Sequence, residues 1–100
     1  KKEKLTSTNI ASIVKNKADN IKREIDLRGQ NIEEAIIELD KYLDDVYLAK
    51  AEEVFIIHGK GTGVLRKGIK EFLRRHKHVK SYRDGNYNEG GNGVTVVELK

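Results

Sequence analysis

The sequence predicts an α/β domain: a two-layer βαβαββ sandwich in which two helices cover a four-stranded mixed sheet. Three observations point there. Two stretches carry apolar residues at three- and four-residue steps, the period of an amphipathic helix. Four short runs have strand character, and the first three alternate with those helices. One run, Val54-Phe55-Ile56-Ile57, is apolar throughout, as a strand at the centre of a sheet has to be.

The elements follow in order. Ile25 and Leu27 alternate with Asp26 and Arg28 until Gly29 stops the run, which predicts a short strand with one apolar and one polar face. Asn31 followed by Glu34 has the form of an N-cap with its capping-box partner. Ile32, Ala35, Ile36, Leu39, Leu43 and Val46 then predict a helix ending near Lys50. Residues 53–58 form the central strand. Leu65, Ile69, Phe72 and Leu73 predict a second helix from about Thr62 to Arg75. Val79 to Arg83 and Val94 to Leu99 complete the sheet, and glycine-rich Asp84–Gly93 between them reads as a long mobile loop. Residues 1–22, rich in Lys, Ser, Thr and Asn, read as a linker, so the compact domain is expected to begin near Arg23.

Composition narrows the function. The chain begins at Lys1 and has no methionine, so a fragment or processed form of a larger protein is expected. No apolar run approaches the roughly 18 residues that cross a bilayer, and no signal-peptide core appears. With no cysteine there is neither a disulfide framework nor thiolate chemistry, which fits a cytosolic protein. The net charge of +4 conceals a division. Residues 31–53 carry eight acids against Lys41 and Lys50, whereas residues 66–80 carry seven bases against Glu71 alone. Such segregation suits a protein that turns one face to a polyanion. Arg66, Lys67, Lys70 and Arg74 recur at helical steps opposite the apolar stripe of the second helix and are expected to follow a phosphate backbone.

The densest motif is His58-Gly59-Lys60-Gly61-Thr62-Gly63, between a strand and a helix. Glycines let a backbone approach a ligand, and a helix N-terminus favours anions, so Gly59, Lys60, Gly61, Thr62 and Gly63 are candidate phosphate binders. His58 is a candidate general acid or base. Strands joined in a βαβ unit run parallel, so Asp26 and Arg28, ending the first strand, belong at the same sheet edge. Arg28 is a candidate phosphate fork. Asp26 could orient His58, pair with Arg28 or ligate a metal. Mg²⁺ or Mn²⁺ is the cofactor left open, with Asp26 its one candidate ligand and thin support for it. His76 and His78 have no acid at ligand spacing in sequence and read as surface residues.

Three blocks together, Ile25-Asp26-Leu27-Arg28-Gly29, the His58–Gly63 motif and Gly90-Gly91-Asn92-Gly93-Val94-Thr95, resemble the signatures of the Smr (small MutS-related) domain over about residues 23–100. The ending Val96-Val97-Glu98-Leu99-Lys100 resembles members that terminate a larger MutS-like ATPase. The resemblance implies endonuclease activity on DNA or RNA with little sequence preference, in a parent that suppresses recombination or acts on stalled ribosomes. It implies DNA, RNA or the ribosome as partner, no membrane, and a parent dimeric through regions outside this chain. In the family's terms Asp26 and Arg28 take the acidic and basic positions of the first block, and His58, Gly59, Gly61 and Gly63 those of the second. Some members bind nucleic acid without cutting it, so a non-catalytic binding module is the alternative.

Overall fold

The computed structural model describes residues 21–100, and all but the last two residues of the expected linker over residues 1–22 lie outside them. Six principal elements follow in the predicted order: β1 (Glu24–Asp26), α1 (Ile32–Leu48), β2 (Glu53–Ile57), α2 (Val64–Arg75), β3 (Val79–Asp84) and β4 (Val94–Leu99). The sheet order is β1-β2-β4-β3. β1 and β2 are parallel, while β4 runs antiparallel to both β2 and β3. Both crossovers therefore progress in one direction along the sheet, and right-handed connection sends α1 and α2 to the same face. The result is the two-layer sandwich that the periodicities predict.

The core lies between the helices and that face. Leu39, Leu43 and Val46 of α1, and Ile69 and Leu73 of α2, meet Val54, Ile56, Val97 and Leu99 of the two central strands. Ile21 packs against this cluster, and the Tyr42 hydroxyl donates to the Lys22 carbonyl at 2.6 Å, so the chain joins the core just ahead of β1. Gly68 of α2 lies against Ile32 of α1, where a side chain would overlap it.

Local chemistry sets the ends. Asn31 caps α1 by accepting the Glu34 amide at 2.8 Å. The helix stops at Leu48, two residues before the expected end, because Lys50 turns the chain with a positive φ of 63°. The loop between β3 and β4 departs from expectation. It contains two 3₁₀ turns, Tyr87–Glu89 and Gly91–Gly93, and is braced rather than loose. Asn86 and Glu89 form a reciprocal capping box, and Arg83 grips the Glu89 carboxylate through two nitrogens at 2.9 and 3.3 Å. Glycine-rich composition conceals these side-chain bonds, which is why the segment reads as mobile.

Candidate active site and nucleic-acid interface

The His58–Gly63 loop leaves the C-terminal end of β2 and is fastened to the third glycine block. The amides of His58 and Gly59 both donate to the Gly93 carbonyl, at 3.1 and 2.9 Å. A Cβ on Gly93 would lie 3.6 Å from Gly59 Cα and 3.5 Å from Lys60 Cγ, in ordinary contact with the loop. Gly59, Gly61 and Gly63 all have positive φ, which lets the loop double back and start α2. The N-cap of α2 is Gly63, which has no side chain to cap it. The Thr62 hydroxyl makes only a long bond of 3.4 Å to the Val64 amide, and no acid stands in the first turn of the helix. Its N-terminus therefore keeps its preference for an external anion. The loop, Gly29–Ile32 and the start of α2 enclose a cleft of about 430 Å³ that His58, Lys60, Thr62 and Arg66 help line. Gln30 also lines it, and its side-chain oxygen is buried without a hydrogen-bond partner among the described residues.

His58 is 5% exposed and both ring nitrogens are engaged. Nδ1 lies 2.8 Å from the Gly59 carbonyl, which can only accept, so Nδ1 carries the proton. Nε2 lies 2.8 Å from the hydroxyl of Thr95, which then donates to it. The basic nitrogen is thereby fixed as Nε2. Burial pushes the proton affinity of His58 down. The Gly59 carbonyl opposes that, Arg66 and Lys70 add to it, and Asp84 opposes it weakly. Burial and the neighbouring cations thus favour the neutral imidazole, whose lone pair is on Nε2.

Two members of this site were not singled out from sequence. Thr95 faces the helices from β4, fully buried opposite Ile56, and Asp84 stands opposite Thr95 on β3. Asp84 accepts a hydrogen bond from Lys70 and is held below the usual carboxylate range by it. Lys70 is thus already paired, and so is Arg74, with Glu71 at 2.7 Å. Arg66 and Lys67 form no ion pair among the described residues. These two are the uncommitted cations of the basic face.

Asp26 and Arg28 form a closed pair. Arg28 Nη2 and Nε donate to the two Asp26 oxygens at 2.7 and 2.9 Å, and the Arg28 amide adds a third bond at 3.1 Å. The Asp26 carboxyl is pulled down to about 2 by these hydrogen bonds. Of the three roles left open for Asp26, this is the one observed. Asp26 stands opposite Ile57 in the register, on the sheet face away from Thr95, and His58 takes its orientation from Thr95 and Gly59 instead. The edges nevertheless meet: a Cβ on Gly59 would lie 3.4 Å from Arg28 Cγ. One carboxylate already neutralised by a guanidinium is a poor resident metal site, because a divalent cation would have to displace Arg28.

The histidines following α2 need correction. They are covered rather than superficial, with His76 and His78 side chains 5% and 19% exposed. The acids missing from their sequence neighbourhood arrive from α1. His76 Nε2 lies 3.0 Å from Asp40, His78 Nε2 lies 3.4 Å from Asp44, and Tyr47 stacks on His78 with centroids 3.7 Å apart. Ligand atoms of Asp40, Asp44 and His76 fall within 4.8 Å of one another, a spacing that could admit a metal ion. The His76 tautomer opposes that. Its Nδ1 accepts the His78 amide at 3.1 Å, so Nε2 bears the proton and has no lone pair to give.

A family model for the Smr domain matches residues 25–100. Endonuclease MutS2 of Alkaliphilus oremlandii is 60% identical over 101 residues, which cover all of this chain and 13% of that protein. Endonuclease MutS2 of Caldicellulosiruptor bescii is 64% identical over 84 residues, covering 84% of this chain and 11% of that protein. The chain thus spans about an eighth of the length of these relatives. The crystal structure of the Smr domain of Thermus thermophilus MutS2 superimposes with a TM-score of 0.76 at 47% identity, over 77% of this chain and 96% of that one.

Proposed function

Because the chain belongs to the Smr domain family, we propose that it is the nucleic-acid-cleaving domain of a larger endonuclease, acting on phosphodiester bonds with little sequence preference. The observation that carries this reading is His58. It is a neutral imidazole with a fixed tautomer, beside a glycine-lined cleft at a helix N-terminus whose N-cap is Gly63. A phosphate seated in the cleft would meet the start of α2 and Lys60, which oppose the charge that grows on its oxygens as the nucleophile adds. His58 Nε2 would take a proton from the attacking hydroxyl, once Thr95 yields its hydrogen bond, and return it to the leaving oxygen. On RNA the nucleophile is the neighbouring 2′-OH, so these groups suffice. On DNA water must attack, and a divalent ion carried by the substrate phosphates would assist.

Arg28 supports this scheme from the side. Nη1 takes no part in its pair with Asp26, so it can meet a phosphate while Asp26 holds the fork still. Arg66 and Lys67 supply affinity along the backbone. Whether the parent acts in recombination or on ribosomes belongs to domains outside this chain. The alternative, a module that binds without cutting, is favoured by one observation, the low exposure of the His58 ring.

The test is an assay of the purified chain on plasmid DNA and on structured RNA with Mg²⁺, Mn²⁺ or EDTA, alongside a gel shift at several salt concentrations. Cleavage of either substrate supports the nuclease. Salt-sensitive binding with no product under any condition would replace it by the binding module. Arg66→Gln with Lys67→Gln is expected to weaken binding and to flatten its salt dependence by up to about two counterions. An unchanged slope would remove these two from the interface.

A further inference from the structure

A second groove runs along the other side of α2, with a volume of about 410 Å³, and it is floored by an aromatic ring. Tyr82 projects from β3 on the helix-facing side, opposite Val97, half-buried against the core. Its hydroxyl makes no hydrogen bond among the described residues. Arg66, Lys67, Lys70 and Arg74 line the groove with it, as does Glu71, which pairs with Arg74. The groove adjoins the His58 cleft, since Thr62, Gly63 and Arg66 line both. A polymer with a phosphate in the cleft would have Tyr82 within reach of its neighbouring unit.

We propose that this groove is a seat for one unpaired nucleotide adjoining the phosphate that is cut, its base against the Tyr82 ring and its phosphate between Arg66 and Lys67. The inference rests on the nucleic-acid reading above and deepens it: the preferred substrate is single-stranded. Three features carry it. An aromatic at the floor of a concave site can reach a base only if that base has left its duplex partner. The cations at the rim include the two that no acid neutralises, so a backbone phosphate has somewhere to bind. The volume falls within the range of sites that enclose a small organic ligand, roughly 300–1,000 Å³.

The experiment uses the full chain carrying His58→Ala, so that nothing is cut. The probes are a labelled oligothymidylate of about twelve nucleotides and a blunt duplex of the same length, at one salt concentration. Tyr82→Leu keeps apolar bulk and removes the flat ring, and Tyr82→Phe keeps the ring. The expected result is a roughly tenfold loss of single-strand affinity in Tyr82→Leu, duplex affinity within about twofold, and recovery in Tyr82→Phe. Equal losses on both probes, or none on either, would overturn the proposal. Should Tyr82→Leu fail to fold, the otherwise unaltered His58→Ala chain decides with a single strand containing 2-aminopurine. Quenching on binding supports the seat, and unquenched binding overturns it. Failure of the nuclease reading remains distinguishable, because it appears as intact, Tyr82-dependent strand binding in a chain that cuts nothing when His58 is present.

Discussion

His58 and His76 are both almost wholly buried, and the molecule holds them in opposite ways. His58 donates from Nδ1 to its neighbour's carbonyl and receives the Thr95 hydroxyl at Nε2. His76 receives a backbone amide at Nδ1 and donates from Nε2 to Asp40. The first arrangement leaves Nε2 with its lone pair, bonded to the buried Thr95 hydroxyl, in a ring that feels the charges of Arg66 and Lys70. The second spends the lone pair on the backbone and turns the proton toward an acid on α1. Both rings fasten two elements together, and they differ in what holds the lone pair: a side-chain hydroxyl at His58, a backbone amide at His76. Burial and a polar partner do not make a histidine catalytic; the direction of its hydrogen bonds is what differs here.

The largest cost is expected in the loop that delivers Gly93 to His58. Gly90 has φ of 110°, and a Cβ there would stand 2.4 Å from Val94 Cγ2. Gly90→Ala is expected to cost about 3 kcal/mol, from backbone strain and overlap together. Gly29→Ala, with φ of 83° and open space around it, is expected to cost about 1 kcal/mol. Urea unfolding of the two variants measures the difference, and equal costs would mean the Val94 contact relaxes freely.

Thr95→Val sharpens the comparison at its centre. Valine fills the same space but leaves Nε2 of a buried ring without a partner, at an expected cost of about 1–3 kcal/mol. Thr95→Ser is expected to recover most of this, which chemical denaturation will show. The pH dependence has a definite sign. The native ring binds a proton less readily than the unfolded one, so its contribution to stability is complete above the ordinary imidazole value of about 6.5 and falls as pH drops through that value toward the lowered native one. In the His58→Phe variant this part of the acid-side loss should disappear from a melting series between roughly pH 7 and 5. A series that tracks the unsubstituted chain would show that His58 titrates normally.

The smallest effect is expected on the other side. Asp40 is exposed, and its bond to His76 competes with water, so Asp40→Asn is expected to change stability by no more than about 1 kcal/mol and cleavage not at all. A marked drop in melting temperature would give the clamp between α1 and the end of α2 a larger share of stability than its exposure suggests.

What could be read from residues alone was whatever is local. The apolar run of β2, the helical periods and the glycines of the His58 loop each specify their own conformation, and the parallel crossover brings the β1 end to that loop. Contacts made by antiparallel pairing were hidden. Thr95 meets His58 because β4 returns between β2 and β3 in one register, although a lone hydroxyl between Val94 and Val96-Val97 was a signal that a polar partner would be needed. Asp84 was hidden in the same way. The partners of His76 and His78 lie 34 or more positions away, on α1, where Asp40 and Asp44 sit one helical turn apart and face the histidines together.

The central claim is that His58, and not His76, moves a proton in strand cleavage. Single-turnover rates at saturating enzyme, with affinity measured separately by titration, test it for His58→Ala and His76→Ala together. The expected result is a loss of roughly a hundredfold or more in the rate of His58→Ala, affinity within a few-fold, and a rate for His76→Ala near that of the unsubstituted chain. Loss of affinity in His58→Ala that accounts for its lost rate, or equal loss of rate in both variants, would contradict it.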